Sequence, residues 1–457
     1  MEYNTIFKRY DIRGKYPEEI NEEMAKILAG VYFDIIKPDK VVLGYDNVYG
    51  SGSVCSAFGL ELSRLGCKEV VCVGMVSTPV LYYACSHLNS DHALMFTSSH
   101  LGEGYTGIKP LKLGIPLPEE VLLQIRDRYT SIINKGQVGY IGLDNLADVK
   151  VTFVSVNSDY ISEITKLVGK NLSKYKVVVD VGNGPINTVV GEILDRLGIN
   201  YYAINTQIRA KNFSHPSNPK IKQNRSQLED AVREQKSDMG IIWDGDCDRC
   251  LFIDNTGELI SPEFVAIVVA GYLNHTSGCK KITADVRASS AVETECAKMG
   301  IEVKRIKAWH VPIKEEMEKD FEIRFGFEVS GHYVFRDFYK IDDGMLAAVS
   351  FLDGLNNCQG NLKELLKVFR QKYFIQEEIN YRTEVSEEKL QTVFSVKYKD
   401  AKVNLVDGIS VDYPNWRFNV RSSRTEPIIR LNISGVDKQA VLKHLGDIEK
   451  EIGGTRI

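Results

Sequence analysis

Met239-Gly240-Ile241-Ile242-Trp243-Asp244-Gly245-Asp246-Cys247-Asp248-Arg249 joins an apolar run of strand length to three carboxylates at alternate positions. The run reads as a buried strand. In an extended segment, residues i, i+2 and i+4 share one face, so Asp244, Asp246 and Asp248 are expected to converge on one ion. Hard cations such as Mg²⁺ take oxygen ligands and use few protein carboxylates when phosphate oxygens complete the shell. An EF-hand loop starting at Asp244 would need Gly at its sixth place and Glu at its twelfth. Arg249 and Asn255 stand there, which sets calcium aside. The alternative, a solvated acidic turn, leaves three carboxylates repelling one another.

The pattern recurs upstream, where the apolar Ala93 to Phe96 leads into Thr97-Ser98-Ser99-His100. Ligands of open α/β sheets gather beyond the carboxyl ends of strands, so a substrate can reach Ser99. A serine hydroxyl is a weak nucleophile until a base or cation activates it, and His100 is placed to orient a phosphate. On its own the segment reads more readily as an ordinary polar loop. Further short apolar strands, Lys40 to Gly44, Glu69 to Gly74, Lys176 to Asp180 and Lys281 to Val286, alternate with longer amphipathic stretches. This alternation predicts α/β units. Several strands end in polar turns, Gly44-Tyr45-Asp46, Asp180 to Pro185 and Asp285-Val286-Arg287 among them, and hint at a repeated unit whose copies have diverged.

With 457 residues the chain has room for three or four domains. A net charge of −4 argues against a nucleic-acid partner, which would require a strongly basic face. An anionic substrate must then be held by local clusters of Arg and Lys. The nine cysteines follow no disulfide framework, which points to a reducing, cytoplasmic compartment. Cys247 and Cys250 form a C-x-x-C inside the acidic motif without a second pair at zinc-site spacing. The N-terminus lacks the apolar core of a signal peptide. The longest apolar run, Phe264 to Leu273, is too short to span a bilayer, so no membrane partner is expected.

Thr97 to His100, Asp244 to Arg249, Glu328-Val329-Ser330-Gly331-His332 and Arg421-Ser422-Ser423-Arg424-Thr425-Glu426-Pro427 resemble, in order and spacing, the four signatures of the α-D-phosphohexomutases. The likeness starts at Phe7 to Gly14 and runs almost to the C-terminus. It is greatest to the bacterial and archaeal phosphomannomutase/phosphoglucomutase enzymes. It implies three similar mixed α/β domains and a C-terminal α+β domain around a central cleft. We place them at 1–148 (phosphoserine loop), 149–254 (metal-binding loop), 255–368 (sugar-recognition loop) and 369–457 (phosphate binding).

The resemblance also implies roles. Ser99 would carry the phosphoryl group and, with Asp244, Asp246 and Asp248, hold one Mg²⁺; His100, Lys109 and Arg249 would assist the transfer. Lys109 matches a general acid or base, and Arg249 balances charge. Tyr10, Arg13, Arg287, Lys307 and His310 would face the substrate. Glu328, Ser330 and His332 would meet the sugar. Glu328 and Ser330, two apart in an extended loop, would point the same way and take the 3- and 4-hydroxyls, so glucose and mannose would be barely distinguished. Arg421, Ser423 and Thr425 would clamp the distal phosphate, a task suited to the planar guanidinium fork. The expected reaction interconverts hexose 1-phosphate and hexose 6-phosphate through glucose 1,6-bisphosphate or mannose 1,6-bisphosphate, in a monomer or homodimer.

Rival readings are a phosphoglucosamine mutase, disfavoured by Val329 where those enzymes usually carry Gln, a phosphatase with an aspartate nucleophile, and a sugar-phosphate-binding relative without turnover. The chain departs from the family pattern at Leu101-Gly102 (usually Asn-Pro), Cys247 (often Gly), Trp309 (usually Gly) and Phe327 (commonly Gly). Bulky Trp309 and Phe327 are expected to narrow the sugar pocket.

Overall fold

The computed structural model describes residues 3–135, 150–358, 360–423 and 428–457. The chain forms two compact units, Met1–Glu258 with Asp337–Val349, and Leu259–Arg336 with Ser350–Ile457.

In the first unit, the N-terminal sheet runs Ile12–Lys15, Tyr105–Lys112, His92–Phe96, Lys40–Tyr45, Glu69–Met75, Val151–Phe153. Lys40–Tyr45 lies parallel to both His92–Phe96 and Glu69–Met75, whereas Tyr105–Lys112 returns antiparallel to His92–Phe96. Val41, Val42, Leu43, Val70, Ala93, Leu94 and Met95 are all buried, as in strands covered on both faces. Helix Glu22–Ile36 shows how the covering layer forms. Asn21 Oδ1 accepts the Met24 N–H at its start, and Ala25, Leu28, Ala29 and Tyr32 recur at helical spacing on the buried side. The helix stops at Lys37, in left-handed conformation, ahead of Pro38. Each large side chain on that stripe contributes roughly 1.5–3 kcal/mol by leaving water.

The second sheet of this unit contains Cys250–Asp254, Met239–Trp243, Lys176–Asp180 and Asn200–Ile204. Met239–Trp243 is parallel to Lys176–Asp180 and antiparallel to Cys250–Asp254. In the second unit, Glu302–Ile306, Lys281–Asp285 and Ile323–Phe327 run parallel, and Tyr333–Phe335 returns antiparallel to Ile323–Phe327.

The three sheets therefore repeat one device. A strand held in parallel register turns back into an antiparallel partner, and the turn carries the polar motif: Thr97 to Gly104, Asp244 to Arg249, and Glu328 to His332. The divergent repeat expected from the strand ends is real at the level of topology.

The C-terminal portion is an antiparallel sheet ordered Lys402–Asn404, Ile409–Asp412, Trp416–Ser422, Ile429–Gly435, Ile379–Arg382, Thr455–Arg456. Helices Glu387–Lys397 and Lys438–Ile452 cover it with Leu390, Phe394, Val441, Leu445, Ile448 and Ile452. This is the α+β domain, beside three α/β domains. Among the described residues, no helix is long and apolar enough to cross a membrane.

Candidate active site

Ser99 is buried directly after strand His92–Phe96 and sits at φ 53, in the left-handed region. A non-glycine residue there costs about 1–3 kcal/mol and persists only where its surroundings hold it. The Asp46 carboxylate, reached from the neighbouring strand, supplies one hold: Oδ2 accepts the Ser98 N–H at 2.8 Å and Oδ1 the Val48 N–H at 3.0 Å. Thr97 Oγ1 supplies another by accepting the Ser99 N–H at 2.8 Å. Burial pushes the Asp46 carboxyl up against the hydrogen bonds that favour its charge. His100 Nδ1 lies 3.4 Å from Ser99 Oγ and accepts from Arg249 Nη2 at 3.3 Å. Burial, then Arg249 and Arg13, push this imidazole down to about 2. His100 is therefore neutral, and the one acceptor lone pair of Nδ1 faces both the Arg249 guanidinium and the Ser99 hydroxyl.

The acidic motif reaches the same place from the second sheet. One oxygen from each of Asp244, Asp246 and Asp248 lies within 4.8 Å of the others, and all three residues are buried. Their convergence has a different cause from the expected one. The segment is not extended; it is the turn between Met239–Trp243 and Cys250–Asp254, with Cys247 at φ 68. Gly245 lets the turn touch the Ser99 loop, since a Cβ there would stand 2.4 Å from the Ser99 carbonyl oxygen.

Charge is balanced locally. Lys109 Nζ donates to Asp246 Oδ2 at 2.5 Å and to Asp248 Oδ2 at 2.9 Å, while Arg249 Nε lies 3.5 Å from Asp244 Oδ2. Asp246 Oδ2 also accepts from Thr78 Oγ1 at 2.7 Å. Asp246 Oδ1 is buried with no hydrogen-bond partner among the described residues, as fits a ligand atom for a hard cation. Burial alone would lower the Lys109 ammonium, but Asp246 and Asp248 hold it well above its ordinary range. Arg13 also feels both aspartates and is fixed by Asp11 Oδ2, at 2.6 Å from Nη2. Tyr10 is half-buried under a neighbouring Arg9 guanidinium.

In the second unit, Glu328 and Ser330 lie in the turn between Ile323–Phe327 and Tyr333–Phe335, not in an extended loop. Glu328 Oε1 accepts from Arg287 Nη2 at 2.7 Å and from the Trp309 N–H at 2.8 Å; His332 Nδ1 lies 2.7 Å from Oε2. Burial opposes the Glu328 charge, but His332, Arg287 and His310 hold its carboxyl well below the usual range. Ser330 Oγ is 3.1 Å from His332 Nδ1, and the His310 and His332 rings stack at 5.1 Å. Lys307 is exposed. Arg421 is buried in strand Trp416–Ser422; Ser423 follows it and its hydroxyl accepts from Arg430 Nη2 at 3.1 Å. Thr425 lies outside the described residues.

Residues 4–135, 158–257 and 261–373 match the phosphoglucomutase/phosphomannomutase alpha/beta/alpha domains I, II and III. The chain belongs to the α-D-phosphohexomutase family. A phosphohexose mutase of Xanthomonas campestris pv. campestris (strain B100) is 30% identical over 443 residues, covering 96% of each chain. A phosphomannomutase of Escherichia coli is 30% identical over 440 residues, covering 94% of each. A crystal structure of a phosphoglucomutase/phosphomannomutase family protein from Burkholderia thailandensis shares the fold at a TM-score of 0.85, with 22% identity and 99% of each chain covered. The protein is a phosphohexomutase, an isomerase.

Several residues that hold these groups within each unit are not among the candidate site residues. Asp46 and Thr78 mark a strand end and a helix start, which are common polar positions, and only the fold brings Thr78 to Asp246, 168 residues away. Asp11, Asp285 and Glu378 serve as carboxylate partners of arginines; Asp11 and Asp285 lie in stretches already noted, whereas Glu378 stands in no motif. Phe327 does not narrow a pocket, because it is a fully buried core residue of its strand. Cys247 and Cys250 are buried free thiols pushed well up by burial, unlike a redox pair.

Trp309 departs from the family pattern at a telling position. Its backbone adopts φ 115, ψ 148, a region nearly reserved for glycine, and its ring stacks on His310 at 6.0 Å. Trp309→Gly relieves the strain while losing the stack; Trp309→Ala keeps the strain and also loses the stack. The Gly variant is therefore expected to be the more stable by about 1–2 kcal/mol, the reverse of the usual order. Urea titrations of the two proteins measure this, and an Ala variant equal or superior to Gly would refute it.

Proposed function

We propose that the enzyme reversibly interconverts hexose 1-phosphate and hexose 6-phosphate, with mannose and glucose as sugars, through phosphorylated Ser99 and a hexose 1,6-bisphosphate. The observation that carries this reading is a buried serine, held in a left-handed turn, abutting three buried carboxylates at Gly245. In the first half-reaction the Ser99 Oγ–phosphorus bond breaks as phosphorus bonds to the free hydroxyl of the hexose monophosphate. The hydroxyl loses its proton and Ser99 Oγ regains one. The second half-reaction runs the same exchange in reverse at the other phosphate, so Ser99 ends phosphorylated again.

Such transfers are catalysed mainly by positioning and charge neutralisation. One Mg²⁺ held by Asp244, Asp246, Asp248 and a phosphoserine oxygen would neutralise charge on the transferring group. Lys109, kept cationic by Asp246 and Asp248, suits the acid half of general acid–base work. Neutral His100 orients the Ser99 hydroxyl, and Arg249 and Arg13 offset phosphate charge. Glu328, Ser330 and His332 take sugar hydroxyls, with Arg287, Lys307, His310 and Tyr10 at the margins. Arg421, Ser423 and Thr425 hold the phosphate that is not reacting.

Intact-mass and peptide analysis tests this directly. After incubation with glucose 1,6-bisphosphate, one phosphoryl group is expected on the Ser99 peptide, exchangeable with labelled glucose 1-phosphate. A protein that turns over while Ser99 stays unmodified would defeat the proposal. Parallel assays with mannose 1-phosphate, glucose 1-phosphate and glucosamine 1-phosphate are expected to favour the first two.

A further inference from the structure

We propose that Glu378 is a built-in counter-charge of the phosphate clamp, a carboxylate that loosens the grip of its arginines so that phosphate can leave. The inference rests on the reading of Arg421 and Ser423 as phosphate contacts. Glu378 immediately precedes strand Ile379–Arg382, which pairs with Ile429–Gly435, where Asn380 faces Arg430; on the other side of that strand Arg421 faces Arg430. Three adjacent strands thus bring the groups together. Glu378 Oε1 lies 3.0 Å from Arg430 Nη1, and Oε2 lies 3.6 Å from Arg421 Nη2 and 3.9 Å from Arg287 Nη1. The Glu378 side chain is only 11% exposed, so solvent screens these charges weakly.

The charge tally gives Glu378 its role. Arg287 is already matched by Asp285, through Nε to Oδ1 at 2.9 Å and Nη2 to Oδ2 at 2.8 Å, and by Glu328. Arg421 and Arg430 both face Glu378, and the Asp407 carboxylate acts on Arg421 as well. Burial and the nearby Arg287 push the Arg421 guanidinium down, in keeping with crowded like charges. A phosphate monoester brings up to two negative charges to this cluster and must compete with Glu378 for the same N–H donors. An enzyme whose bisphosphate has to let go and turn over gains from that competition, because binding energy expressed equally in ground and transition states does not raise kcat.

Glu378→Gln keeps the shape and removes the charge. Calorimetric titration with inorganic phosphate is expected to show binding tighter by about tenfold. With glucose 1-phosphate, KM is expected to fall and kcat to fall with it, a split that a merely structural role would not produce. Glu378→Asp withdraws the charge by one methylene and is expected to tighten phosphate binding by about twofold. If thermal melting shows the Gln variant unfolded, the Asp variant decides. Unchanged or weaker phosphate binding in the folded variant overturns the proposal and assigns Glu378 to holding the arginines in place. Should Arg421→Ala leave phosphate affinity untouched in the otherwise native protein, the clamp reading itself fails, independently of Glu378.

Discussion

Ser99→Ala is expected to slow hexose phosphate isomerisation by about four to six orders of magnitude while leaving the fold intact. The magnitude follows from losing the only atom on this loop proposed to carry the phosphoryl group, and nucleophile removal of this kind leaves only positioning and electrostatic residues of catalysis. The fold survives because the contacts that hold the turn are made by backbone N–H groups, from Ser98 to Asp46 and from Ser99 to Thr97 Oγ1. Ala keeps the Cβ, so the left-handed strain changes little. Coupled assays of the forward and reverse reactions measure the effect, with thermal melting as the control for folding. A variant retaining a tenth of wild-type activity would remove Ser99 from the mechanism.

Asp246→Asn is expected to cost about a hundredfold or more in activity at fixed Mg²⁺ and to shift the Mg²⁺ requirement to higher concentration. Among the three carboxylates, Asp246 is the most deeply buried, and it presents one oxygen to Thr78 and Lys109 and the other to no donor among the described residues. The Asn variant removes the charge on that second oxygen and weakens the hold on Lys109 together. Chelation of the wild type is expected to abolish turnover, and added Mg²⁺ to restore it. An Asn variant with the wild-type Mg²⁺ dependence would show that the ion, if used, is held elsewhere.

Much of this site is legible in the sequence because its chemistry sits at strand ends. Apolar runs such as Ala93 to Phe96 and Met239 to Trp243 announce their own burial, and the polar motif follows at once. Reading conformation into those motifs works less well. Asp244, Asp246 and Asp248 converge, but through a turn whose left-handed Cys247 folds the chain back, not through alternation along a strand. Glu328 and Ser330 are likewise turn residues, and Glu328 spends its oxygens on Arg287, His332 and the Trp309 N–H. Two-residue spacing has the same side-chain meaning only while the backbone stays extended.

The amino-acid order alone determined the class of fold, the family and the chemical types assembled, since hydrophobic period and motif composition are local properties of the chain. Tertiary structure decided which distant groups complete each motif: Asp46 beneath Ser98, Thr78 and Lys109 on Asp246, Glu378 among the arginines. It also decided that the three motif loops are equivalent turns of three related sheets. Those facts depend on which strands lie side by side, and strand adjacency is set by burying whole sheets and helices together, a property no short stretch of sequence carries.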